Sequence, residues 1–364
     1  MGKRNHALDV VRCIAIASVV NCHAVAASGS TADLNFLQLG GKGVDLFFVL
    51  SGWLLGHQLL SELKSTRALD ISRFWYRRWL RTLPAYYAVL ALTFAWQIVG
   101  RGNTDLRGSY LFFGQNYLSD LPYFSVSWSL CVEEHFYLLV APLLLLIFRM
   151  AWARYTLLPI LLVIPSVCRA FGWYYSMDAT HVRYDQCAAG VVLASISIFT
   201  PKLWTTLCRF VPWLLMGSLI AVAFNLFVRI NRESRIGDLG MLSYTFIFAS
   251  WIIFANSSPY WQSRPVFGAR YLADRSYAVY LLHGEAFALL KRFPSLPFLL
   301  FLALTWILSL LLAELLYRAV ERPIMRAREK FGFSRSRSNP TPAVAFVHTP
   351  DDLRDPVSAT ECAV

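Results

Sequence analysis

Pro297-Phe-Leu-Leu-Phe-Leu-Ala-Leu-Thr-Trp-Ile-Leu-Ser-Leu-Leu-Leu-Ala313 runs without an ionisable side chain, and the apolar block it belongs to reaches residue 319. About 20 such residues in a helix cover a hydrocarbon core of roughly 30 Å. Nine similar blocks precede it, at approximately 7–27, 43–61, 82–99, 128–148, 155–172, 184–199, 210–228, 239–256 and 272–292. The pattern predicts an all-α, polytopic integral membrane protein of about ten transmembrane helices, filling residues 1–330. Pro142, Pro159, Pro165 and Pro212 fall within or at the edges of blocks, which neighbouring helices accommodate in a membrane. No internal repeat is visible.

Composition agrees. Hydrophobic residues make up 57% of the 364, charged residues only 15%, and the mean hydropathy is +0.47, against roughly a quarter charged in soluble domains. A water-soluble fold of this size could not hide that surface. The net charge of +12 would suggest nucleic acid in a soluble chain, but here the basic residues cluster at block ends, where they set orientation and meet lipid or phosphate. With a cytoplasmic N-terminus the inner segments hold about 20 Lys and Arg and the outer segments about 8, so the positive-inside rule places both termini in the cytoplasm. Seven cysteines without CxxC spacing read as small buried hydrophobes. Lys3 and Arg4 ahead of an apolar run resemble a signal peptide, but Arg12 and His23 interrupt that run. Residues 331–364 are rich in Ser, Arg, Pro, Thr and Asp without apolar periodicity, and read as a disordered cytoplasmic tail.

Ionisable side chains within spans are costly and point to function. The first block carries Asp9, Arg12 and His23. Arg12 and His23 are three turns apart, about 20° out of register and about 16 Å apart along the axis. The topology puts His23, Asp45, Glu133 and Glu134 toward the outer ends of three helices, and Arg12 toward the inner side. With it lies the basic run from Arg73 to Arg81, expected to enter the third span at Pro84. One level suits proton chemistry, with His23 as base and Asp45, Glu133 or Glu134 fixing its tautomer. The other suits phosphates, through Arg12, Arg77, Arg78 and Arg81, since guanidinium matches phosphate geometry. A lipid-headgroup anchor is the alternative meaning of that run. No serine or cysteine nucleophile with an adjacent base stands out, so direct attack of a hydroxyl on a thioester is the simpler scheme, and an acyl-histidine stays open.

Further motifs follow in order: GKGVDLFFVLSGWLLG from Gly41 to Gly56, Arg78-Trp-Leu-Arg81 with Pro84, Trp128-Ser-Leu-Cys-Val-Glu-Glu-His-Phe-Tyr137, Arg183-Tyr-Asp185 before Gly190, Ser276-Tyr-Ala-Val-Tyr280-Leu-Leu-His283, and Glu321-Arg-Pro323. Together with Arg12 and His23 they resemble the membrane acyltransferase family 3, over about residues 5–330. That family includes O-acetyltransferases of surface polysaccharides, nodulation-factor acetylases and macrolide acyltransferases. Cys131 and His135 stand where Ser and Gln are frequent in the family, and Lys42 lies inside the glycine turn.

The resemblance implies transfer of an acyl group, usually acetyl from acetyl-coenzyme A, to a hydroxyl of a saccharide or related acceptor. It makes His23, Arg12, Arg78 and Arg81 functional and associates the Arg-x-x-Arg pair with the donor. Trp128, Arg183, Asp185, Tyr277 and His283 fall inside its motifs as further candidates. Some members carry an extracytoplasmic esterase-like domain, for which this chain leaves no room. The expected location is a cell membrane, bacterial and inner, and the expected partners are lipid, acyl-coenzyme A and the acceptor, not nucleic acid. The aromatic, polar segments 100–127 and 173–183 have the composition of sugar sites. A secondary transporter of a glycan, lipid or acylated metabolite is the rival reading, for which paired interrupted helices would be expected.

Overall fold

The computed structural model describes residues 4–28, 35–104, 106–148, 151–230, 240–293 and 296–330. Each of the ten blocks forms a helix: α1 His6–Ser28, α2 Gly43–Thr66, α3 Ile71–Ala95, α4 Trp128–Phe148, α5 Ala151–Ala170, α6 Asp185–Phe199, α7 Val211–Ile230, α8 Gly240–Ser257, α9 Ala269–Leu290 and α10 Phe298–Leu316. The described residues contain no strand. The expected tail, 331–364, lies outside them.

Among the described residues five helical stretches are long and apolar enough to cross a membrane: His6–Ser28, Leu39–Thr66, Ile71–Gly100, Ser125–Phe148 and Phe298–Arg328. A sixth follows if α6 and the short helix Pro201–Arg209, bent by 113° at their junction, count as one span. The apolar parts of α5 and α7 are shorter, Thr156–Ala170 and Val211–Phe227. α9 fails for another reason, since Asp274, Arg275 and Glu285 load it with charge. Leu139, Leu146, Ile160, Val163, Leu219, Leu299, Leu311 and Leu315 are all exposed, an outer apolar skin that suits lipid rather than water.

One expectation is corrected at α3. The basic run does not precede this helix but forms its first turns, because the Asp70 side chain accepts from the Arg73 backbone N–H at 2.9 Å and caps the helix there. Pro84 sits inside α3. Arg73, Arg77, Arg78 and Arg81 thereby point out at helical intervals rather than along an extended segment.

Packing hinges on glycines. A Cβ at Gly52 of α2 would lie 2.0 Å from the Cys187 carbonyl oxygen, and one at Gly190 of α6 would lie 2.2 Å from that of Val49. The two backbones therefore touch, as small residues allow in membrane helices. Gly40 and Gly43 press the turn before α2 onto α1 in the same way, with Cβ positions 2.2 Å from Ser18 O and 2.5 Å from Ala15 O. The bent helix Pro201–Arg209 is held back by Trp204, stacked on Trp53 at 5.3 Å between ring centroids.

Gly190→Val should cost about 3 kcal/mol, the upper range for overpacking, because its neighbours are backbone atoms that cannot move aside. Gly217→Ala, where a Cβ would meet nothing within 4 Å, should be neutral or slightly stabilising. Thermal unfolding of detergent-purified protein, followed by size-exclusion profile, checks the contrast.

Candidate active site

Two cavities hold candidate site residues, each reached by one side chain of α1. The first, of about 320 Å³, is lined by Arg12 of α1, Ser51 and Gln58 of α2, Arg78, Arg81 and Thr82 of α3, Ser129, Glu133 and Tyr137 of α4, and Ser276, Tyr277 and Tyr280 of α9. Its lining on α2 runs from Val44 to Gln58, about 20 Å of helix axis. The guanidinium groups gather at the Gln58 end, where Arg78 Nη2 donates to Gln58 Oε1 at 3.4 Å. Neither Arg78 nor Arg81 has a carboxylate within 4.0 Å among the described residues, and Arg12 has only Asp9, at 3.9 Å. Asp9 is engaged instead by Arg4, at 2.6 and 2.9 Å. Three guanidinium groups thus gather here with no carboxylate closer than 3.9 Å among the described residues. Arg77 does not line the cavity; its carbonyl accepts from Arg328 of the helix Arg322–Lys330 at 3.3 Å.

Glu133 lines this cavity, but both its oxygens are occupied, by Ser51 Oγ at 2.9 Å and Tyr137 OH at 3.0 Å. Glu134 turns toward α3, where Thr82 Oγ1 donates to it at 2.6 Å. Tyr277 also reaches α3, donating from its hydroxyl to the Thr82 carbonyl at 2.9 Å. At the far end the cavity stops at a knot in which Tyr280 OH bonds Ser129 Oγ at 2.5 Å and donates to the Val126 carbonyl at 2.9 Å.

The second cavity, about 260 Å³, lies past that knot. It is lined by His23, Trp128 and loop residues 116, 118–121, 125, 126, 176 and 178, so the two aromatic, polar segments do meet around it. Outside the helices, Arg107 donates to both Asp120 oxygens at 2.9 and 3.2 Å and holds that carboxyl below its usual range. Burial pushes Asp178 up, opposed by the positive charge of Arg183.

Among the described residues no carboxylate engages His23. Its ring partner is His283 of α9: His23 Nδ1 and His283 Nε2 are 2.7 Å apart, and the rings are parallel to within 1° with centroids 5.0 Å apart. Phe287 closes on both rings edge-on. The bonding pattern assigns the tautomers. His283 Nδ1 lies 2.6 Å from the Tyr280 carbonyl oxygen and 3.2 Å from that of Val279, and carbonyls only accept, so Nδ1 carries the hydrogen. Neutral His283 then offers a lone pair at Nε2, and His23 donates to it from Nδ1. Nε2 of His23 is left with a lone pair beside the second cavity.

The expected cluster of His23 with Asp45, Glu133 and Glu134 is thus not formed. Asp45, fully buried, accepts from Arg183 at 2.8 Å, and Arg183 also covers the Trp128 ring at 4.7 Å. Asp185 accepts from Arg169 at 2.7 Å. A common depth on separate helices placed these groups at one level without fixing which way each faced. His283 carried no role in the sequence reading, and Ser51, Ser129, Tyr137, Tyr280, Asn116 and Asp178 were not singled out. The one hint was that both histidines belong to motifs of the same family resemblance.

A family model described as an acyltransferase domain matches residues 5–318. The chain belongs to the acyltransferase 3 family. It is 26% identical over 358 residues to the peptidoglycan O-acetyltransferase OatA of Listeria monocytogenes, covering 88% of this chain and 55% of that protein. A candidate O-acetyltransferase of Staphylococcus aureus is 27% identical over 365 residues, covering 88% of this chain and 57% of its own length. A candidate peptidoglycan O-acetyltransferase of Bacillus subtilis, YrhL, is 27% identical over 387 residues, 90% of this chain and 56% of that one. The chain therefore spans little more than half the length of these relatives. No solved structure matches it. Within this acyltransferase 3 member, Arg12, Arg78, Arg81 and Tyr277 share the first cavity, His23 and Trp128 border the second, and Arg183 and Asp185 make buried ion pairs.

Arg183→Leu should cost about 3–5 kcal/mol by stranding the Asp45 charge. The double variant Asp45→Leu/Arg183→Leu should recover most of that loss. Thermal midpoints of the two single variants and the double, taken as a cycle, measure it.

Proposed function

We propose that the chain is a membrane O-acyltransferase that takes acetyl from acetyl-coenzyme A at the arginine cavity and delivers it to a hydroxyl in the cleft beside His23. The observation that carries the reading is the pair of cavities that one helix reaches, guanidinium groups in one and a histidine base in the other. Family membership and the similarity to O-acetyltransferases support it. In this reading the ten helices cross a bacterial inner membrane with both termini in the cytoplasm. Arg12, Arg78 and Arg81 then face the compartment that holds coenzyme A, and His23 faces the other.

Arg78 and Arg81 are the groups for the nucleotide phosphates, with Arg12 deeper on the donor path. The roughly 16 Å from Arg12 to His23 along α1 is comparable with an extended pantetheine arm. The contact of Tyr280 with Ser129 and Val126 crosses that path and has to part for the thioester to pass. In the transfer step the acceptor hydroxyl oxygen attacks the thioester carbonyl while its proton moves to His23 Nε2. The tetrahedral oxyanion collapses, the C–S bond breaks, and the thiolate leaves, taking a proton back from the imidazolium. The new bond is an ester C–O bond, and no acyl-enzyme is required.

His283 is a positioning residue here. Its Nε2 lone pair holds the His23 Nδ1 hydrogen, which keeps the basic nitrogen turned to the acceptor and shares the positive charge once the proton arrives. Glu133 and Glu134 act on the donor side, where their hydrogen bonds fix Ser51, Tyr137 and Thr82 around the arginines.

With purified protein, acetyl-coenzyme A and acceptor, His23→Ala should lower coenzyme A release by roughly 10²- to 10⁴-fold, the usual worth of a general base, with donor affinity intact. His283→Phe keeps a ring but no acceptor, and should lower kcat less than His23→Ala without changing KM for the donor. Near-normal turnover by the His23 variant would remove base catalysis. Arg81→Lys should weaken donor binding by about 1.5–3 kcal/mol, since an ammonium cannot reproduce the planar fork. Calorimetric affinities for coenzyme A, equal in the two proteins, would return the basic run to a lipid anchor.

A further inference from the structure

We infer that the cleft beside His23 binds the acceptor as an uncharged or ammonium-bearing polyhydroxyl compound and selects against an anionic one. The inference rests on the acyltransferase reading and adds the acceptor's chemical class.

The cleft's polar wall combines three serine hydroxyls with two carboxylates, an amide and a histidine, and holds no cation among the described residues. Asn116, 1% exposed, donates from Nδ2 to the Asp178 carbonyl oxygen at 3.1 Å and to Thr180 Oγ1 at 2.9 Å. A carbonyl can only accept, so the amide cannot be reversed, and Oδ1 is the atom left over. It is buried and makes no hydrogen bond. A buried acceptor without a donor is rare in a folded protein and calls for an explanation. Sealed from solvent in this structure, Oδ1 meets a ligand donor only if the surrounding loop shifts, so the charge of the cleft carries the inference.

Two carboxylates line the cleft, Asp120 and Asp178, and among the described residues no Lys or Arg does. Arg107 neutralises Asp120, whereas the Asp178 carboxylate has no ion pair among the described residues. Arg183, whose field reaches Asp178, is committed to Asp45 and to the Trp128 ring. His23 adds a third acceptor at Nε2. A carboxylate or phosphate brought here would lose its water without gaining a cationic donor, and would face Asp178 with like charge. Hydroxyls and an ammonium find partners in Asp178 and His23, while the Trp128 ring offers an apolar face to the C–H side of a sugar. Of the three serines in the lining, Ser119 donates to Asp120, Ser176 accepts from the Asp178 backbone N–H, and Ser125 can donate or accept; none carries charge, so the sign of the cleft is unchanged.

The test uses the purified full chain in lipid nanodiscs with acetyl-coenzyme A and three matched probes: methyl β-glucoside, methyl β-glucosaminide and methyl β-glucuronide. Coenzyme A release above the rate with water alone is read together with the mass of the acetylated glycoside. The glucoside and glucosaminide are expected to be acetylated, with kcat/KM for the glucuronide at least tenfold lower than for the glucoside. Asp178→Asn should narrow that gap at least threefold and reduce any advantage of the glucosaminide. A glucuronide used as well as the glucoside, a gap unchanged in Asp178→Asn, or a coenzyme A release that none of the three raises would overturn the inference while leaving donor cleavage intact. No release under any condition would overturn the acyltransferase reading itself, and this inference with it.

Discussion

Helices α2 and α6 meet backbone to backbone at Gly52 and Gly190, with no side chain between them. Everything around the two cavities is referred to that crossing. It sets Asp45 against Arg183 at one end, and the same Arg183 lies over Trp128 at the edge of the second cavity. It presents Ser51, one residue before the contact, to Glu133 across the first cavity. A larger residue at the crossing would separate the helices by more than these hydrogen bonds can stretch.

The charges inside the bundle divide into two kinds. Asp45 with Arg183 and Asp185 with Arg169 are paired charge for charge, and their work is to hold elements together. Arg12, Arg78 and Asp178 are half-buried and Arg81 is exposed; none has an opposite charge closer than 3.9 Å among the described residues, and all four line cavities, where water or a ligand can solvate them.

Much of the fold was legible because its signal is local. Apolar blocks long enough for a helix appear directly in the sequence, and the alignment of Arg12 with His23 follows from helical pitch. The boundary at α3 was misplaced because Pro84 looked like an entry point, while the deciding cap, Asp70, is a single side chain. The site was legible in membership but not in pairing. His23 and His283 are 260 residues apart, and depth along a helix says nothing of azimuth. For that reason Asp45 and the two glutamates were assigned to the wrong partner. Asn116 and Asp178 sit in segments without periodicity, where only the folded loops reveal which amide oxygen is left unbonded.

The knot of Tyr280, Ser129 and Val126 has a consequence for the cell as a whole. A passage lined at one mouth by guanidinium groups and opening past a histidine at the other would be a leak for small anions and protons across an energised membrane. A unit charge crossing 100 mV releases about 2.3 kcal/mol, so even a narrow wet thread would dissipate the gradient. In the proposed reading the three bonded oxygens between the cavities would serve as an electrical insulator, and an arm that parted them would have to fill the gap it opens.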